Sequence, residues 1–263
     1  MKKLAILLFV FIAFSSCKKN TEVTESKAEV QEAESKVYPE SISKIFNAHG
    51  GLETWNNMEN IAFGMEKGKD MEMTTTALKS RKSLIETTNH KLGFDGTDVW
   101  LQNKDTASYK GKARAKFYYN LMFYFYAMPF VLADDGISYK EAPALEVDGK
   151  EYPGIHISYG AGVGESPDDE YILYYDSETN KMAWLAYTVT FFSKKKATEY
   201  KLIKYTDWQE VRGLNLPATL QWYVYEDGVV GDMRNEVKFI DVSISKEMDA
   251  SMFVKPENAE TIE

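Results

Sequence analysis

A mainly antiparallel β fold with helices, of the α+β class, is what this 263-residue chain predicts, on three observations. Short runs rich in Thr, Val, Ile and aromatic residues recur along most of it, punctuated by Asp-Gly and other turn dipeptides. No helical crossover pattern separates consecutive runs, so the strands pair with their sequence neighbours as a meander. One segment, Phe117 to Leu132, is apolar on nearly every side, and a long sheet curling around it supplies the enclosure it needs.

The first element in chain order is an export signal. Lys2 and Lys3 precede an unbroken run of eleven apolar residues, Leu4 to Phe14. At about 1.5 Å rise per residue that run covers roughly half of a ~30 Å hydrocarbon core, which excludes a permanent span. Residues 1–16 therefore read as a signal peptide. Phe14-Ser15-Ser16-Cys17 resembles the lipobox of bacterial lipoproteins, with Phe14 where that signal usually carries Leu; the resemblance implies that Cys17 becomes the acylated first residue. Cys17 is the only cysteine, so an internal disulfide is excluded. Residues 17–40 follow as the lipidated cysteine and a flexible tether, with six Glu and no apolar face; a short charged helix from Val23 to Ser35 is the alternative. Such a tether spans on the order of 25 Å. The net charge is −9, with 31 basic against 40 acidic residues, and becomes −11 once Lys2 and Lys3 are cleaved away. Counterion release then gives nucleic acid no purchase, and attachment to anionic membranes falls to the lipid anchor.

Residues 41–263 make up the folded domain. Ser41 is expected to cap a helix carrying Ile42, Ile45 and Phe46 on one face, ended by Gly50-Gly51. A second short turn carries Leu52 and Trp55. His49, in the last turn, reads as a histidine near helix-terminal carbonyls rather than a catalyst. From Ile61 to Leu101 come hairpins interrupted at Gly68, Lys79–Lys82 and Asp95-Gly96; after Gly136, Asp148-Gly149, Asp176–Lys181 and Asp227-Gly228 separate Ile155–Tyr159, Tyr171–Tyr175, Trp184–Phe191, Leu216–Tyr225 and Val237–Ile244. Phe117 to Leu132 holds eight aromatic residues in sixteen positions and reads as one helix, serving either as packing or as the lining of a ligand site.

Several motifs in this order resemble the periplasmic lipoprotein carrier and receptor superfamily, the half-barrel fold of the sorting proteins LolA and LolB. They are His49-Gly50-Gly51 with Trp55, the strand-turn Phe94 to Trp100, the apolar helix, Tyr171 to Asp176 turning into Trp184-Leu185, Gly213 to Pro217, and the Asp249 to Pro256 closure. The resemblance covers residues 41–257 and implies a curved open half-barrel of about eleven to twelve strands whose concave apolar face takes acyl chains. Its sorting rule, with Lys18 after Cys17, implies delivery to the outer membrane of a double-membraned bacterium.

Catalytic patterns are missing from the sequence. There is no Gly-x-Ser-x-Gly and no His-Glu-x-x-His, and the three histidines stand at 49, 90 and 156. Tyr159 to Gly164 lacks the Lys-Ser/Thr of a phosphate loop and reads as a glycine hairpin; Asp168, Asp169 and Glu170 lack calcium-loop spacing and read as a solvated turn. No cofactor or metal is implied. The expected function is binding without catalysis of a hydrophobic small molecule, an acyl chain or the lipid part of another lipoprotein. The lining is expected from Phe123, Phe125, Tyr126 and Phe130 on the helix and from Trp184, Tyr187, Trp222 and Val224 on the strands. The competing expectation is a partner-binding scaffold whose barrel is filled by its own helix.

Overall fold

The computed structural model describes residues 36–106, 108–160 and 168–263. The signal peptide, Cys17, nearly all of the tether and most of the glycine hairpin lie outside the described residues. Tyr38–Glu263 forms one compact unit. Helix α1 (Glu40–Ala48) starts one residue before Ser41. Pro39 is its N-cap, with φ −53° already helical and its carbonyl accepting the Ser43 N–H at 3.0 Å, so no side-chain cap is used. The one-turn helix α2 (Leu52–Asn56) follows.

Among the described residues fourteen strands build two seven-stranded antiparallel sheets, more than the eleven to twelve expected. The first sheet starts with β1 (Asn60–Lys67), β2 (Asp70–Ala77), β3 (Ser83–Glu86), β4 (His90–Phe94) and β5 (Val99–Asn103) in sequence order. Two C-terminal strands, β13 (Ile240–Ser245) beside β1 and β14 (Glu260–Thr261) beside β5, cover its edges. The second is an uninterrupted meander of β6 (Ile137–Val147), β7 (Lys150–Tyr159), β8 (Tyr171–Tyr175), β9 (Met182–Tyr187), β10 (Lys201–Val211), β11 (Leu214–Glu226) and β12 (Val229–Lys238). The hairpin turns follow the dipeptides: Asp148-Gly149, Arg212-Gly213 and Asp227-Gly228 all hold positive φ at both positions, as tight hairpins require. Neither sheet closes on itself, so the architecture is an open, mainly antiparallel α+β half-barrel.

The run Val237–Ile244 is not one strand. It breaks at Phe239, the single residue through which the chain passes from the second sheet to the first. Phe239 turns inward against Tyr126 and Phe63, with ring centroids 4.3 and 5.2 Å away, so burial of one ring fixes the crossing point.

The apolar segment is likewise not one helix. It divides into α3 (Ala115–Tyr118), α4 (Leu121–Tyr126) and a 3₁₀ turn, Phe130–Ala133. Asn120 leaves helical geometry with ψ near 1°, and the Met128-Pro129 peptide is cis. Breaking the axis lets rings leave it in several directions. Phe123, Tyr126, Phe130 and Leu132 are each at most 1% exposed and join one core with Ile61 and Phe63 of the first sheet and Ile157, Leu185, Ile203 and Leu220 of the second. The half-barrel is thus largely filled by its own chain. Strand-borne hydroxyls hold this filling in place: Tyr205 donates to the Phe125 carbonyl at 2.7 Å and Tyr139 to that of Leu132.

His49 bonds to two strands instead of its own helix. Its Nδ1–H donates to the Asn215 carbonyl at 3.0 Å, while Nε2 accepts the Met182 N–H at 3.0 Å, which fixes the neutral tautomer. The ring is fully buried, and desolvation depresses its pKa to about 4. One imidazole therefore links the end of α1 to β9 and β11.

Candidate functional site

A cavity of about 230 Å³ remains where α3 and α4 meet the end of β7 and the start of β8. Seven rings line it, those of Phe117, Tyr119, Tyr124, Phe125, Tyr159, Tyr171 and Phe191, with Leu121 and Val131 beside them. The polar lining is Arg81, Asn120, Asp134 and Asp169. This volume lies below the roughly 300–1,000 Å³ of pockets that engulf a drug-sized molecule. It suits a headgroup or a short chain.

The polar groups reach the cavity by turns. Arg81 sits in the β2–β3 connection at φ 59°, a left-handed conformation that aims the side chain inward. One of its terminal nitrogens donates to both Asp134 oxygens at 2.6 Å, the other donates to the Leu78 carbonyl, and the guanidinium lies 5.4 Å from the Phe123 ring centre. Asp169 just precedes β8, on the opposite side of the chain from Glu170. Glu170 faces outward and is held by Lys196 at 2.6 Å, Tyr200 at 3.0 Å and His156 at 3.4 Å, which keep its carboxyl below the usual range. Asp169 accepts the Thr190 N–H at 2.6 Å, and burial pushes its carboxyl above the usual range. The three acids are therefore not a solvated turn: one of them lines the cavity, because alternation along the chain sends neighbours to opposite faces. Tyr159 and Tyr171 stand edge to face at 5.8 Å, and burial raises both phenols well above their ordinary value.

Of the eight residues expected to line a site, Phe125 borders this cavity. It packs on Tyr187 at 4.9 Å and Trp222 at 6.2 Å, which are tied to each other by the Trp222 indole N–H donating to the Tyr187 hydroxyl at 3.1 Å. Phe123, Tyr126 and Phe130 lie in the core, Phe130 stacked on Trp55 at 4.7 Å. Trp184 is on the other face of the second sheet with Tyr174 and Tyr223. Alternation from Leu185 and Tyr187, which face the core, sends Trp184 there. Val224 is half-buried, close enough to Gly231 that a Cβ added there would meet it at 3.1 Å.

The histidines do not converge. His49 is bonded at both nitrogens, His90 packs on Tyr109, and His156 faces Glu170; none lines the cavity. Among the described residues no group of three His, Cys, Asp or Glu is placed to hold a metal. A second, more open depression of about 470 Å³ lies between Glu53, Thr54, Asn57, Met58, Arg212 and Lys246. Met58 is its only apolar side chain, so it offers little surface whose burial would hold a ligand.

The structure is similar to a DUF1329 family protein from Desulfovibrio piger, at 10% identity over 81% of this chain and 95% of that one, with a TM-score of 0.47. It is also similar to a LolA superfamily protein from Nitrosomonas europaea, at 10% identity over 78% and 96%, TM-score 0.45. A third is a Vibrio parahaemolyticus domain described as an outer membrane lipoprotein-sorting protein, at 8% identity over 76% and 93%, TM-score 0.42. At these values none of the three carries a ligand or an activity to this chain. No family model matches the sequence, and no curated protein matches it.

Proposed function

We propose that this chain is a lipid-anchored protein of the bacterial cell envelope, held to the outer membrane through Cys17, that binds the end of a hydrophobic or amphipathic molecule without catalysis. The observation that carries the reading is the ring-lined cavity beside α4, in a half-barrel whose interior is occupied by Phe123, Tyr126, Phe130 and Leu132. Burying a six-carbon chain end there contributes about 5 kcal/mol, at ~0.8 kcal/mol per methylene, before ordering costs. A whole diacyl lipid does not fit this volume. The filled interior also favours a second reading, a partner-binding scaffold, in which the cavity stays empty of ligand.

Native mass spectrometry of residues 18–263 from a bacterial host separates the two. The binder carries one stoichiometric extractable adduct, and Leu121→Trp, which places a larger ring at the half-buried cavity wall, removes it while the far-ultraviolet circular dichroism stays unchanged. A clean mass that no added fatty acid or phospholipid shifts establishes the scaffold.

A further inference from the structure

We infer that the polar end of the ligand is an ammonium group, primary or quaternary, seated between the Asp169 carboxylate and the rings of Tyr124, Tyr159, Tyr171 and Phe191. The inference rests on the proposed binding function and names the headgroup. Its first support is charge. Arg81 is paired with Asp134, which leaves Asp169 as the net charge of the described lining residues. Asp169 forms no ion pair among the described residues; it is held by Thr190, and Lys194 acts on it only from a distance. A carboxylate ligand would meet that negative charge and find Arg81, the one cationic side chain among the described lining residues, already paired, whereas a cation meets a carboxylate that no described cation contacts directly, in a partly desolvated place.

The second support is the acceptor set. Tyr159 and Tyr171 line the cavity, and neither hydroxyl has a hydrogen bond to another described residue. Asp134, Asp169 and Tyr124 all act electrostatically on Tyr159, so phenol oxygens and carboxylates converge on one space. The Asp169 carboxylate in that set calls for a donor or a cation, and the phenol oxygens can accept from it. The third is the wall itself: aromatic faces attract cations within about 6 Å, and the ammonium of Lys194 already lies 4.2 Å from the centre of the Phe191 ring. The small volume agrees, since a substituted ammonium with a short chain fills it.

The test titrates residues 18–263 with three hexyl probes, hexyltrimethylammonium, hexanoate and hexanol, by calorimetry. The ammonium probe is expected to bind at least tenfold more tightly than the other two. That preference is expected to vanish in Asp169→Asn and to fall several-fold in Tyr171→Phe, which keeps the ring and serves should the first variant fail to fold. Tetramethylammonium distinguishes the source: equal binding assigns the cavity to a free amine, and dependence on the chain assigns it to the headgroup of a lipid. Equal affinity for all three hexyl probes overturns the headgroup while leaving the binding function intact. Tighter binding of hexanoate also overturns it, and failure of every probe overturns the binding function as well.

Discussion

Between pH 7 and pH 4 the domain is expected to lose about 3 kcal/mol of folding stability through His49 alone. Its folded pKa is about 4, against roughly 6.5 in an unfolded chain. The unfolded state therefore takes up the proton first as pH falls. The contribution is complete above about pH 6.5 and disappears progressively toward pH 4, at ~1.4 kcal/mol per pH unit within that window. Protonating Nε2 also costs the bond from Met182 N–H, which needs that lone pair. His90, depressed in the same direction by burial, adds a smaller effect of the same sign. Carboxylates such as Asp176, held near 2 by Lys150 and the Thr179 N–H, act mainly below the unfolded carboxylate range of about 4. Subtraction isolates His49: urea unfolding of wild type and His49→Gln at pH 7 and pH 4.5 is expected to show the variant less stable at neutral pH and the gap narrowing by most of 3 kcal/mol in acid. Parallel pH curves would show that the imidazole carries no such linkage.

Gly50→Ala is expected to cost about 3–4 kcal/mol, from overpacking and a left-handed backbone together. Gly50 holds φ +104°, and a Cβ there would lie 2.1 Å from the Gly213 carbonyl oxygen and 3.0 Å from the Leu214 Cα. Both obstacles are backbone, so no side chain can swing aside. Moving them apart strains the bonds beside them, the Asn215 N–H to the His49 carbonyl at 2.9 Å and the Asn215 amide to the Ala48 carbonyl at 3.2 Å. Gly149→Ala is the control. It has φ +75° with nothing within 4 Å of the added carbon, so only the conformational cost of about 1 kcal/mol remains. Chemical denaturation of the two variants checks the ordering, and equal losses would remove the close approach as the cause.

The hairpins and the half-barrel class were legible because their signals are local. Asp-Gly at 148–149 and 227–228 dictates a turn wherever it falls. The division of labour among aromatic residues was not, for reasons that lie beyond single segments. Trp184 and Tyr187 stand three apart on β9, so alternation sends them to opposite faces, and composition does not mark which one faces the core. The strands β6 and β12 are polar and largely exposed, so their hydrophobic alternation is faint. Phe117 to Leu132 looked like one helix because its hydrophobicity is unbroken, yet Asn120 and Pro129 divide it. In the cavity, Arg81 meets Asp134 across 53 positions, and Asp169 differs from its acidic neighbours only in the direction it faces. Arg81 in a charged turn and Asp169 in an acidic triplet offered no signal of their own; Tyr159 and Tyr171, ending and starting two predicted strands, offered a weak one.

A bound ligand is expected to enter the small cavity and leave the filled interior closed. Methyl-selective NMR of residues 18–263 tests it most directly, with each of the three hexyl probes added to saturation. The methyls of Leu121 and Val131, which line the cavity, are expected to shift, while those of Leu185, Ile203 and Leu220 beneath the second sheet stay in place. Shifts centred on Leu185, Ile203 and Leu220 would mean that the chain slides under the sheet and displaces α4, contradicting a self-filled half-barrel.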